Sequence, residues 1–361
     1  MTGLSLNRLT GGIALRVVIV TYALGGVLGL TASWAGMPLG MLIGPMLGIA
    51  LAARMGLRPW GHTLAVPQKW RYLLVPIVGV AIAAGFPADF VAQAQRWWVT
   101  LLALALFIPL VQVLGYLLFL KLGKLTKPTA YFAAMPGGFI EALEMGEKSG
   151  ADMPMLIMLQ FLRLILCIVL IPIGFSLFEG HAVGSGTGVS LGGSNAPLTL
   201  WDAGVLVALG ASGWFVAHHL RFPAAVLSGP LLFSAVAHVA GLTHAVPPGW
   251  AILLTQWVMG TSLGVRLIGF ARGQAGQALR LSLMHVGFML ALALGVALAL
   301  ADPVGEPATA VLLAFAPGGV SEMSLVALSL HLSAVFVSIH HLARIVLAVL
   351  IARLGLRLAG I

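Results

Sequence analysis

Met135-Pro136-Gly137-Gly138-Phe139-Ile140-Glu141 recurs further along the chain as Ala316-Pro317-Gly318-Gly319-Val320-Ser321-Glu322. Each copy interrupts an apolar stretch, 129–147 and 308–328, with residues that stop a helix. Proline has no amide hydrogen to continue one, and paired glycines reach backbone conformations closed to other residues. Each break leaves unpaired amides at the start of whatever helix follows, a place that attracts negative charge. The glutamate falls three residues beyond the second glycine.

The surroundings are strongly apolar. Of 361 residues, 60% are hydrophobic and 8% charged, with a mean hydropathy of +1.07. Soluble domains carry about 25% charged residues, so this composition excludes a soluble enzyme, a nucleic-acid-binding domain and a disordered chain. A membrane helix needs about 20 mostly apolar residues. Ten stretches qualify: 13–33, 37–53, 72–90, 97–120, 153–175, 202–220, 224–241, 250–270, 279–301 and 332–354. The first is too long for a signal-peptide core and reads as a retained span. The lone cysteine, Cys167, can form neither a disulfide nor a multi-thiolate metal site within one chain.

Charge placement decides what the two broken stretches do. If each dips into the membrane and returns, the basic residues gather on one side. They are Arg8, Arg16, the 54–71 and 121–127 loops, Lys148, Arg221, the 266–280 loop, Arg353 and Arg357. Arg96 alone lies opposite, with Asp89, Glu179, Asp302, Glu306 and the Gly/Ser stretch 180–196. Full crossings would put the 266–280 loop outside, against the preference for basic cytoplasmic loops. The net charge of +9 is thus a record of sidedness, with both termini cytoplasmic, and not a sign of a nucleic-acid partner.

The displacement from Pro136 to Pro317 also carries Arg163 onto Arg344. Upstream, Pro38 with Gly44-Pro45 recurs as Pro223 with Gly229-Pro230, and Val66-Pro67 with Trp70 as Val246-Pro247 with Trp250. The expected fold is an all-α polytopic membrane protein of two inverted-topology repeats. Each repeat has five transmembrane helices plus a re-entrant broken hairpin: residues 1–178, an extracytoplasmic linker 179–201, and residues 202–361. An odd number of crossings per half inverts the second half. Matching breaks in inverted halves point to a midplane binding site of a secondary transporter.

An ionisable group at membrane depth is a functional candidate. Glu141 and Glu322 either cap their own half-helices or bind a proton, cation or solute. Arg163 and Arg344 lie mid-span, each requiring a partner: the glutamate of its own repeat, or an anion held by the guanidinium fork. Gly137, Gly138, Gly318, Gly319 and Ser321 complete the expected substrate- or ion-binding set. His340 and His341 are candidates for proton relay. His218-His219 reads as a wet helix end, and neither doublet recurs in the first half, where Leu159 and Gln160 stand. Glu144, Glu147, Lys148 and Asp152 read as a solvated loop, the Gly-Pro pairs as packing elements, and Trp70, Trp97, Trp98 and Trp250 as interfacial anchors.

The doubled Pro-Gly-Gly-x-x-Glu, each followed by a span with a central arginine, together with the doubled Gly-Pro helix, resembles the AbrB family of bacterial integral membrane proteins. The resemblance spans nearly the whole chain and places Pro136, Gly137, Gly138, Glu141, Arg163, Pro317, Gly318, Gly319, Glu322 and Arg344 on the family's recurring motifs. It implies a bacterial inner-membrane protein and is similar in layout to cation–proton antiporters and anion transporters. The family's labels include regulator and ammonia monooxygenase. Residues and resemblance together point to a secondary transporter of a small solute, anionic in one version. It would be coupled to protons or a cation through the glutamates, would have no catalytic residues, cofactor or metal, and would have the lipid bilayer as its surroundings. A homodimer is compatible with this reading. A membrane regulator and a metal-dependent monooxygenase are the alternatives.

Overall fold

The computed structural model describes residues 10–86, 90–179, 198–269 and 272–359; Arg8, Asp89 and the Gly/Ser linker over 180–197 lie outside them. Among the described residues the regular structure is entirely helical. The helices are α1 (Leu15–Trp34), α2 (Gly40–Arg54), α3 (Arg71–Ala83), α4 (Phe90–Ala94), α5 (Trp98–Lys121), α6 (Lys127–Ala134), α7 (Phe139–Lys148) and α8 (Met153–Glu179). The series continues with α9 (Leu200–His219), α10 (Ala225–Val239), α11 (Gly249–Ile268), α12 (Arg272–Val304), α13 (Ala308–Phe315), α14 (Val320–Ser329) and α15 (Ala334–Ala359).

Seven of these, α1, α5, α8, α9, α11, α12 and α15, are long and apolar enough to cross a membrane, which makes this a multi-pass membrane protein. The other three expected spans fall on shorter helices, α2 and α10 of 15 residues and α3 of 13. At 1.5 Å per residue, 15 residues rise about 22 Å, less than the roughly 30 Å of hydrocarbon. The stretch 72–90 stops as a helix at Ala83, just ahead of Gly85 and Pro87, which do not support its continuation.

The element series repeats. Helices α1 and α9 both have 20 residues, α2 and α10 have 15, α6 and α13 have 8, and α7 and α14 have 10. The residues preceding α2 and α10, Leu39 and Ala224, share a left-handed backbone, with φ of 51° and 49°.

The chain forms two compact units. One comprises residues 1–85, 172–269 and 328–331, and holds α1–α3 with α9–α11. Its packing is reciprocal: α2 lies on α11 while α3 lies on α10. Backbone meets backbone at both contacts, Gly260 against the Leu42 carbonyl and Gly79 against the Leu227 carbonyl. The Gly-Pro pairs serve the same purpose within each half. Gly44 faces the Leu28 carbonyl and the Ala32 methyl, and Gly229 faces the Gly213 carbonyl and the Ala217 methyl. A side chain at any of these glycines would force the helices apart, so the Gly-Pro pairs are packing elements as their sequence implies. The unit also holds a Gln68 cluster. Its Oε1 accepts from Ser262 Oγ at 2.9 Å and from Arg266 Nε at 2.7 Å. Tyr22 stacks on Trp70, and the Trp257 indole donates to the Tyr22 carbonyl.

The second unit, residues 86–171, 270–327 and 332–361, carries both broken stretches. Each is a helix–break–helix: α6 and α7 part at Pro136-Gly137-Gly138, α13 and α14 at Pro317-Gly318-Gly319. Two expectations are corrected here. Glu144, Glu147 and Lys148 are not in a loop but on α7, with Glu144, Glu147 and Lys148 exposed. Trp97 is no interfacial anchor: it is buried and packs edge-on against Phe336, whereas Trp98 and Trp250 are exposed.

Candidate functional site

Proline sets the chemistry of both breaks. Pro136 and Pro317 offer no amide hydrogen, so the carbonyls four residues earlier, those of Phe132 and Leu313, lose their helical partner. Buried carbonyls demand another donor. Gln160 Nε2 supplies it to Phe132 at 2.6 Å, and His341 Nε2 supplies it to Leu313 at 3.0 Å. Gln160 occupies in the first half the place of His341 in the second. Unlike residues at equivalent positions thus donate across the same separation of 28 residues.

The arginines complete the caps. Arg163 donates to the carbonyl of Met135, and Arg344 to that of Ala316, again 28 residues earlier in each case. Arg344 also donates to the Gly318 carbonyl at 2.6 Å and to His341 Nδ1 at 2.7 Å. Guanidinium carries donors only, so His341 Nδ1 accepts and its proton sits on Nε2, facing Leu313. Each guanidinium therefore lies at the negative end of a short helix, where a cation is favoured. Both are buried, each lacks a hydrogen bond at Nε, and they lie within electrostatic reach of one another and of Cys167.

On the far side of each break the polarity reverses. Gly138, with φ of 67°, precedes α7, and Glu141 is in that helix's first turn; Glu322 holds the same place in α14. Both carboxylates fold back over the glycine that opens their own half-helix. A methyl group added to Gly138 or Gly319 would run into Oε2 of Glu141 or Glu322. Glu322 is 6% exposed and Glu141 half-buried. Ser321 sits half-buried beside Glu322, at the second position of α14.

The breaks also cross between halves. Gly137 approaches the backbone of Arg344 and Ile345 on α15, Gly138 approaches Val349, and Gly319 approaches Leu164 on α8. Each break thus lies against the arginine-bearing helix of the other half. The structure brings Gly137, Gly138, Glu141, Arg163, Gly318, Gly319, Ser321, Glu322, His341 and Arg344 onto these two breaks and the helices crossing them.

That doubled arrangement is the one the family resemblance rests on, and the comparisons agree. The chain belongs to the AbrB family. Residues 41–360 match the family model described as "Transition state regulatory protein AbrB". The chain is similar to "Uncharacterized protein YhjN" of Bacillus subtilis (strain 168). They are 25% identical over 355 residues, covering 92% of this chain and 89% of the relative. It is also similar to "Putative regulator AbrB" of Escherichia coli (strain K12), 24% identical over 304 residues and 81% of each chain. No solved structure is significantly similar to this AbrB-family chain.

His340 stands apart from the breaks. Its Nδ1 faces the Phe336 carbonyl and its Nε2 the Thr100 hydroxyl, both at 2.8 Å. His218 and His219 are exposed at the end of α9. Among the described residues, no three His, Cys, Asp or Glu side chains converge as metal ligands would. The sequence reading missed Gln160 and Thr100. The signal for Gln160 was its alignment with His341: both side chains carry an N–H.

Proposed function

We propose that this AbrB-family protein is a secondary transporter of a small solute in the bacterial inner membrane, and not an enzyme. It would work by alternating access, with inverted halves, the two breaks as re-entrant hairpins and both termini in the cytoplasm. The observation that carries the reading is the pair of helix–break–helix elements. Each has a guanidinium at its carbonyl end and a carboxylate at its amide end, and each is crossed by the other half's arginine helix. Non-helical backbone at membrane depth persists only where protein or an aqueous cavity surrounds it, and doubled breaks of this kind form midplane sites in transporters. Glu141 and Glu322 bind the coupling proton or cation. Arg163 and Arg344 hold the breaks in shape and give the site the positive potential that an anionic solute requires. Gly137, Gly138, Gly318, Gly319 and Ser321 present backbone and hydroxyl groups to the solute. His340 and His341 lie on the path for a relayed proton.

The test is a thermal-shift screen of small anions, cations and metabolites on purified protein, followed by uptake of the stabilising ligand into vesicles. A ligand that stabilises the wild type but neither Glu141→Gln nor Glu322→Gln, with uptake lost in both, is the expected result. Folded variants with unaltered uptake refute the assignment. Reporters after residues 176, 270 and 305 should read outside, inside and outside; an external 266–280 loop refutes inversion.

A further inference from the structure

The carbonyl ends of the two breaks have matching parts but unlike bonding. In the second, Arg344 donates to the Ala316 and Gly318 carbonyls and to His341 Nδ1, while His341 Nε2 donates to Leu313. Among these nitrogens only Arg344 Nε lacks a partner. In the first, Gln160 turns Nε2 to the carbonyls of Phe132 at 2.6 Å and Met135 at 3.3 Å. Only the amide nitrogen can donate there, which fixes the orientation of the side chain. Arg163 donates to the same Met135 carbonyl. The two side chains thus meet at one oxygen atom, yet Gln160 Oε1 and Arg163 Nε are both buried without a partner. Where His341 Nδ1 accepts from Arg344, Gln160 Oε1 accepts from nothing. A second observation concerns His285 on α12, which is fully buried with neither nitrogen bonded. Its Nε2 and the methyl group of Ala134 crowd the same face of Gly115, 2.7 and 3.0 Å from where a side chain there would begin. Ala134 is the residue before Met135, and Arg163 lies within electrostatic reach of the ring. Unmet donors and acceptors therefore gather beside the first break, from α8 and from α12.

We propose that the first break, and not the second, holds a hydroxyl-type guest whose oxygen accepts from Arg163 Nε and whose proton goes to Gln160 Oε1. Buried polar groups are matched by protein or by ordered water, and a donor and an acceptor bared at one carbonyl call for a molecule that serves both. A hydroxyl does so. A bare carboxylate or halide satisfies the guanidinium and leaves the amide oxygen unmet. The guest is an internal water or the hydroxyl of a solute, a protonated carboxylic acid included. Gln160 and Arg163 are then ligand-contacting residues, whereas His341 and Arg344 satisfy each other. This inference rests on the transporter reading only for what the guest is used for, because occupancy is measurable without transport.

The experiment is nuclear magnetic resonance of detergent-solubilised protein with isotope-labelled arginine, which reads the Nε–H of the two buried guanidinium groups. In the wild type without added solute, magnetisation should pass from bound water to Arg163 and not to Arg344; Arg163→Lys and Arg344→Lys assign the signals. Gln160→His places at 160 the ring that bonds Arg344 from 341, so it should close the gap and abolish the Arg163 contact. His341→Gln should create such a contact at Arg344. Glycolate is the solute probe, and acetate carries the same charge without the hydroxyl. Displacement of the water contact by glycolate and not by acetate identifies a solute hydroxyl as the guest; displacement by neither identifies internal water. Displacement by acetate overturns the hydroxyl assignment. A water contact at both arginines, at neither, or one that survives Gln160→His overturns the site, and the wild-type comparison of the two signals decides even if a variant fails to fold. None of these readouts involves uptake, so failure here is distinguishable from failure of the transporter reading.

Discussion

Replacing His341 by leucine and by glutamine should have opposite consequences. His341 Nε2 serves the Leu313 carbonyl that Pro317 leaves without a partner, and Nδ1 accepts from Arg344. Leucine abolishes both bonds in a fully buried position. An unsatisfied buried carbonyl costs roughly 1–3 kcal/mol, and a bond to a charged donor contributes roughly 1.5–3 kcal/mol. Side-chain bonds measured inside membranes are weaker, averaging about 0.6 and reaching about 1.7 kcal/mol. Together these figures place His341→Leu at a loss of about 2–4 kcal/mol. Glutamine retains an N–H for Leu313 and an oxygen for Arg344, and Gln160 already makes the equivalent bond at 2.6 Å. His341→Gln should therefore cost less than ~1 kcal/mol, the net worth of one ordinary hydrogen bond. The assay is reversible unfolding in mixed micelles, with Gln160→Leu and Gln160→His as the mirror pair. If glutamine at 341 is as damaging as leucine, or leucine is harmless, histidine is not replacing the missing proline donor.

Other perturbations test separate parts of the fold. Gly229→Ala should destabilise by at least the ~1–3 kcal/mol typical of overpacking, because its methyl group meets the Gly213 backbone. Gly287→Ala, with nothing near the added methyl, should instead be neutral or stabilising by up to ~1 kcal/mol through helix propensity; paired melting curves separate the two. The raised Glu306 carboxyl favours its protonated form in the folded protein. Its contribution to stability is complete below its unfolded value near 4.5 and is lost as pH rises through the higher folded value. Unfolding measured across that range should lose this slope in Glu306→Gln. Gln68→Leu removes the acceptor shared by Ser262 and Arg266 and should cost about 1–3 kcal/mol, whereas Gln68→Glu, which keeps the oxygen, should cost less in the same unfolding assay.

Much of the architecture is legible along the chain because it depends on local chemistry. Proline and paired glycines end helices wherever they occur, so both breaks fall at the residues that the sequence marks. Seven spans coincide with seven helices because hydropathy is additive over about 20 residues. Helix length is shorter than the apolar stretch at three places: 37–53, 72–90 and 224–241 carry helices of 15, 13 and 15 residues. Sequence misreads Trp97, since an aromatic residue beside an arginine looks the same whether it anchors at an interface or packs against Phe336.

The sequence by itself determined that this is a helical membrane protein of duplicated design, with two broken stretches and two mid-span arginines. Only the tertiary structure decided what the arginines touch. A buried guanidinium needs a partner, and sequence offered the glutamate of the same repeat or a bound anion. The folded chain sets each guanidinium against carbonyls, because proline had already deprived the end of each first half-helix of a donor, and helices 28 residues away carry Gln160, Arg163, His341 and Arg344 to it. Hydrogen bonds across such separations depend on how helices cross, which no local pattern encodes. The same holds for Glu306, an ordinary loop residue in the sequence that the packing of three segments makes a buried acid.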